Sequence, residues 1–220
     1  MTARTRAAFV AASCLTITIT AGCHHASAPS AHTSPTATVS FPPPVSESTA
    51  RQRLLTTADI GSQFRSATYT ASGTPLPCPG SASGSLAMQT NASYNVGAHF
   101  VAANADIVEE VLGYPSTSDT KAALVAVQDG FDCSTGTLAS GTGATVVVAI
   151  GAQRDFSAIV GAASAYGWSE LYGSERATQV AIVSGPTMVL LRYSLGDAAD
   201  IASLPDGNAV AKMAYQRENG

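Results

Sequence analysis

The sequence predicts an α+β fold: a single domain with one antiparallel sheet, two main helices packed on it, and one disulfide. Three observations point there. Alternating or β-branched runs between residues 85 and 114, and again between 144 and 194, are separated by turn residues at hairpin spacing. A helical stretch follows each group of strands, which segregates the two element types instead of alternating them as parallel βα units require. Finally, Cys78 and Cys133 are the only cysteines downstream of position 23.

The N-terminus sets the compartment. Arg4 and Arg6 precede a short run of small and apolar residues from Ala7, closed by Thr20-Ala21-Gly22-Cys23. Residues 1–22 resemble a bacterial lipoprotein signal peptide, in which the lipobox cysteine becomes the lipid-bearing first residue of the mature chain. The resemblance implies lipidation of Cys23 and attachment to the extracytoplasmic face of the cell membrane through that lipid. An ordinary secretory leader cut near Ala21 is the alternative. Two or more acyl chains suffice for stable anchoring, each buried methylene contributing about 0.8 kcal/mol.

Residues 23–50 read as a Ser/Thr/Pro-rich tether, with too little apolar surface to offset the entropy of ordering it. His24 and His25 have no third ligand nearby, and no metal is expected. The formal charge is −4, and loss of Arg4 and Arg6 with the leader makes it more negative. With no Lys/Arg cluster, a nucleic-acid partner is not expected.

Residues 51–220 have the size of one domain. Leu54 to Gly61 reads as a single helical turn with a Thr cap and a Gly stop. Phe64 to Thr70 is a first strand, and Gly73 to Gly84 a loop carrying Cys78. Ser85 to Gln89, Tyr94 to Ala102 and Asp106 to Tyr114 form a meander with turns at Asn91 and Asn104. Pro115 ends it. The first main helix follows, with Ser118 as N-cap, Asp119 in the first turn, and Leu124, Val127 and Phe131 at helical spacing before Cys133. With Cys23 assigned to lipid and Cys14 removed with the leader, Cys78 and Cys133 are left with a single connectivity in an oxidising compartment. A structural disulfide there stabilises by about 4 kcal/mol on the chain-entropy model.

Beyond Cys133 the Gly/Ser/Thr-rich stretch to Gly143 reads as loop, and Ala144 to Ile150 as the most apolar strand. Arg154 to Val160 is strand or loop, and Gly161 to Gly167 a small-residue turn. Trp168 to Tyr172, Ala177 to Ser184 and Met188 to Ser194 are strands, the last two joined by a turn at Gly185-Pro186. The second main helix is Asn208 to Arg217, with Val210, Met213 and Ala214 on one face.

No residue set carries catalysis convincingly. Ser118-Asp119-Thr120-Lys121 is the S-x-x-K of penicillin-binding proteins, yet their K-T-G element is absent, since Lys212, the only other lysine, is followed by Met213. His99, the only histidine of the body, sits in a strand with no G-x-S-x-G elsewhere. Asp106, Glu109 and Glu110 read as a solvated strand edge. No catalytic residue and no cofactor is expected. Late in the chain, Tyr166, Trp168, Tyr172, Arg192 and Tyr193 combine apolar area with polar handles. They read as the lining of a ligand pocket or as an ordinary core with an outward arginine.

Taken together, the lipobox, the tether, LLTTADIGSQF, a cysteine in a Pro/Gly loop, YPSTSDTKAALVAVQDGFDC and a final hairpin plus helix resemble actinobacterial envelope lipoproteins. More narrowly, residues 51–220 resemble the extracellular sensor domain of the mycobacterial PknH-type receptor kinases. That resemblance implies an α+β domain with a cleft, disulfide bonding and a role in binding a small ligand. It brings no catalytic residues, and the second disulfide of a family member has no cysteines here. The expected function is thus an envelope lipoprotein that binds or senses a small ligand without catalysis. A protein–protein interaction module, marked by an exposed apolar patch, is the alternative. A hydrolase comes last and needs His99 or Ser118 facing a cleft.

Overall fold

The computed structural model describes residues 44–70, 76–78, 91–139, 145–196 and 201–220. The expected leader, Cys23, the tether as far as residue 43, the strand Ser85 to Gln89 and most of the Gly73 to Gly84 loop lie outside these residues.

Strands β1 (Arg65–Ala67), β2 (Tyr94–Ala102), β3 (Ala105–Gly113), β4 (Thr135–Ala139), β5 (Thr145–Ile150), β6 (Arg154–Asp155), β7 (Ser164–Tyr172), β8 (Glu175–Ser184) and β9 (Thr187–Leu195) form one antiparallel sheet. Its order is β1-β2-β3-β9-β8-β7-β5-β4, with β6 paired to β7 off this path. The last strand therefore lies between the two groups predicted from the sequence and joins them. Two-residue turns at Ala103-Asn104, Gly173-Ser174 and Gly185-Pro186 fix the register of the long strands. Each contains one residue at φ 59°, namely Asn104, Gly173 or Gly185, a left-handed conformation that Gly and Asn adopt most cheaply.

Helices α1 (Glu47–Arg53), α2 (Thr57–Ile60), α3 (Thr117–Gly130), α4 (Ser157–Val160) and α5 (Gly207–Asn219) cover the sheet. Side chains alternate along each strand, so each strand feeds both faces. On the first face Leu112, Trp168, Ala181, Met188 and Leu190 pack with Ala123, Leu124 and Val127 of α3. On the second, Ile107, Val111, Val180, Ile182, Val189 and Leu191 pack with Val210, Ala211 and Ala214 of α5 and with Ala50, Ile60 and Val160 of the shorter helices. Cys78 and Cys133 are bonded, with Cα atoms 5.8 Å apart. The Cys78 N–H donates to the Gly130 carbonyl at 3.1 Å and the Thr137 N–H to the Pro77 carbonyl at 2.8 Å, so one short segment ties the end of α3 to β4.

The main helices, the antiparallel sheet and the disulfide match the sequence prediction. Several local readings need correction. Ser116, not Ser118, caps α3: its Oγ accepts from the Asp119 N–H at 3.2 Å and donates to the Asp119 carboxylate at 2.6 Å. The hydroxyl thus caps the helix and at the same time holds the acid three residues on. The stretch Thr135–Ala139 is a strand rather than a loop, and β7 begins inside the expected small-residue turn. Arg154 to Val160 divides into β6 and the turn of α4. The packed body starts before residue 51, because Ala50 of α1 is fully buried. Nor are the acids of β3 at a solvated edge: β3 lies between β2 and β9, and Glu109 and Glu110 are both buried.

Candidate functional site

The five residues expected to line a pocket divide between the two faces. Trp168 is 2% exposed and stacks on Phe131 at 4.9 Å between ring centroids, inside the core under α3. Tyr166 packs half-buried against the same core. Arg192 faces that side too, where its Nε donates to Glu170 at 3.4 Å and its Nη2 to the Tyr172 hydroxyl. Tyr172 donates in turn to Glu175, and the guanidinium lies 5.4 Å from the Tyr172 ring centroid. Burial pushes the Glu170 carboxyl above the usual range even though Arg192 pulls it down. Burial acts to lower the Arg192 pKa, and Glu170 and Tyr172 together, through charge and hydrogen bonds, more than restore it.

Further along this face, His99 Nε2 lies 2.7 Å from Asp106, and its Nδ1 faces the Thr68 carbonyl at 3.3 Å. Ser194 is the register partner of Asp106, so the carboxylate stands between serine and imidazole. A hydrolytic triad needs the imidazole in the middle. Asn95 donates to Glu110 at 2.6 Å and accepts from the Tyr69 hydroxyl at 2.9 Å. Burial first, then the Glu110 charge, pushes the Tyr69 pKa up. Ser118 and Lys121 are exposed on α3. Among the described residues, no group of three or more His, Cys, Asp and Glu is placed to hold a metal ion.

Tyr193, one residue after Arg192, points to the opposite face, where it lines an open cleft of about 610 Å³. The floor is formed by the ends of β5, β7, β8 and β9, and the wall by the start of α5. Leu171, Arg176, Leu195, Asp206 and Asn208 share the lining. Tyr193 is only 5% exposed, yet its hydroxyl has no hydrogen-bond partner. Burial first, then the Asp206 carboxylate, raises its pKa. Asp206 is the N-cap residue of α5, but its side chain accepts no hydrogen bond from the helix N–H groups. The Tyr193 ring lies close against Gly207: a Cβ there would sit 3.0 Å from Cδ1. Leu171 and Val147 are 47% and 63% exposed, and Leu171 is the register partner of Ala149, so an apolar strip runs outward from the cleft.

A second polar cluster lies deeper on this face. Glu109 is 1% exposed and accepts the Leu55 N–H at 2.7 Å. Burial pushes its pKa to about 8, assisted by Glu218 and opposed by the Leu55 N–H and Arg217. Glu218 is itself raised by burial, with Arg53 opposing, and its Oε1 has no partner. Arg217 donates to the carbonyls of Gln52, Arg53 and Leu54, and Arg53 to the Glu218 carbonyl, so α5 grips the end of α1.

The cleft was only partly visible in the sequence. Tyr193 belongs to the expected lining, but the other four residues of that group, Tyr166, Trp168, Tyr172 and Arg192, lie across the sheet. Consecutive residues of a strand face opposite ways, and that rule separates Arg192 from Tyr193 directly. Arg176 and Asp206 carried no pattern, because one ends a hairpin and the other caps a helix.

No protein-family model matches the sequence, and no curated protein matches it. Among solved structures, the crystal structure of the extracellular domain of PknH from Mycobacterium tuberculosis is similar, with a TM-score of 0.61 at 13% identity. The match covers 80% of this chain and 98% of that one. The two chains share a fold.

Proposed function

We propose that this protein is an envelope lipoprotein, anchored through lipid on Cys23, whose extracytoplasmic domain binds a small ligand without catalysis. The observation that carries the reading is the open cleft of about 610 Å³ beside α5, lined in part by Tyr193, whose buried hydroxyl has no partner. Ligand sites combine an apolar concavity of this size with a few convergent polar groups. The lipobox and the Cys78–Cys133 bond support an oxidising, extracytoplasmic compartment. The fold shared with a PknH extracellular domain is consistent with it. No helix among the described residues is long and apolar enough to cross a membrane. The exposed strip of Val147 and Leu171 favours a second reading, in which the same end of the sheet docks an envelope protein.

Native mass spectrometry of the mature chain, secreted from an actinobacterial host, separates the two. Ligand binding predicts a discrete extra mass lost on denaturation. A bare oxidised mass, together with crosslinking of the Val147–Leu171 end to another envelope protein, would replace the first reading with the second.

A further inference from the structure

The geometry points to a neutral, polyhydroxylated ligand, a glycosyl unit, bound in the cleft between the β7–β9 ends and the start of α5; this rests on the ligand-binding reading above. The lining carries both signs of charge. Arg176 is exposed and has no ion pair among the described residues, and the uncapped N–H groups of α5 add positive potential beside it. Asp206 offers a carboxylate at the same end that accepts nothing from its own helix. Glu170 reaches the lining, but its carboxylate is held by Arg192 on the other face. A simple anion would meet Asp206, and a simple cation would meet Arg176 and the helix terminus.

Vicinal hydroxyls avoid both conflicts, since each donates and accepts. One hydroxyl donates to Asp206, and its neighbour accepts from the helix N–H groups or from Arg176. Tyr193 is the independent sign of a missing partner. A buried hydroxyl left unpaired costs free energy, and Tyr193 belongs to the cleft lining, so a ligand hydroxyl that reaches past its ring relieves that cost. Leu171 and Leu195 present aliphatic surface to the C–H side of a sugar ring.

The test is titration calorimetry on the full chain, purified in a detergent without a sugar headgroup. The probes are glucose, N-acetylglucosamine, maltose and trehalose, with phosphate and acetate as anion controls. We expect saturable binding of at least one sugar and none of either anion. Tyr193→Phe should weaken that binding about five-fold while its melting temperature holds or rises, because the variant removes an unpaired buried hydroxyl. Asp206→Asn should weaken it as well. Binding of phosphate or acetate with no sugar binding overturns the assignment, as does a complete absence of sugar binding. Sugar binding unaffected by both variants also overturns it, while leaving the ligand-binding reading intact. The native mass measurement tests that reading separately, since it does not depend on which ligand is retained.

Discussion

The two faces of the sheet treat their polar groups differently. Under α3, nearly every polar side chain is answered by another: Arg192 by Glu170 and Tyr172, Tyr172 by Glu175, His99 by Asp106, Glu110 by Asn95. Gln179 Oε1 and Ser194 Oγ, both buried and unpaired, are the exceptions. Under α5, by contrast, the Tyr94 and Tyr193 hydroxyls and a Glu218 oxygen are left without partners, and Glu109 is a buried acid with its pKa raised to about 8. A satisfied network stiffens a fold, whereas an unsatisfied one stores a cost that a ligand or a proton relieves. The α3 face therefore reads as the structural half and the α5 face as the responsive half.

Substitutions can break this contrast, and the largest effects should fall on the α3 face. Replacing Cys78 and Cys133 with serine removes a crosslink spanning 55 residues, with an expected loss of about 4 kcal/mol in chemical denaturation. A melt insensitive to reductant would contradict it. Arg192→Ala leaves Glu170 buried and unpaired and should cost about 3 kcal/mol, while Arg192→Met with Glu170→Gln should recover most of that.

Glu109 should sharpen the contrast through pH. Its folded pKa lies above the unfolded value, so the native state binds the proton more tightly. Stability is then fully present below about pH 4.5 and declines as pH rises toward about 8, by at most about 1.4 kcal/mol per pH unit. Glu109→Gln should flatten that slope in denaturation curves recorded between mildly acidic and mildly alkaline pH. An unchanged slope would show that the carboxyl is already solvated. The smallest stability change is expected for Tyr193→Phe, within about 0.5 kcal/mol of the parent and on the favourable side, since no hydrogen bond is lost.

The elements legible in the sequence were those with strong periodicity. The apolar spacing of Leu124, Val127 and Phe131 located α3, and alternation located β2, β3, β8 and β9. Missed elements were made of small residues that read as punctuation. Gly136 lies in β4, where a Cβ would fall 2.2 Å from the Pro77 carbonyl oxygen, and a Cβ on Gly167 of β7 would fall 2.6 Å from the Phe156 ring. In both places glycine serves close packing within a strand, a role that composition alone does not distinguish from a turn. The site was harder still, because its wall comes from α5 and its floor from four strand ends, and only the sheet order brings them together.

A crystal structure of the chain as purified from its secreting host tests the division of the two faces most directly. The account predicts ordered ligand density between Leu171, Tyr193 and Asp206, with the Arg192–Glu170–Tyr172 network unchanged. Density seated against Arg192 and Gln179, with the α5 cleft empty, would contradict it.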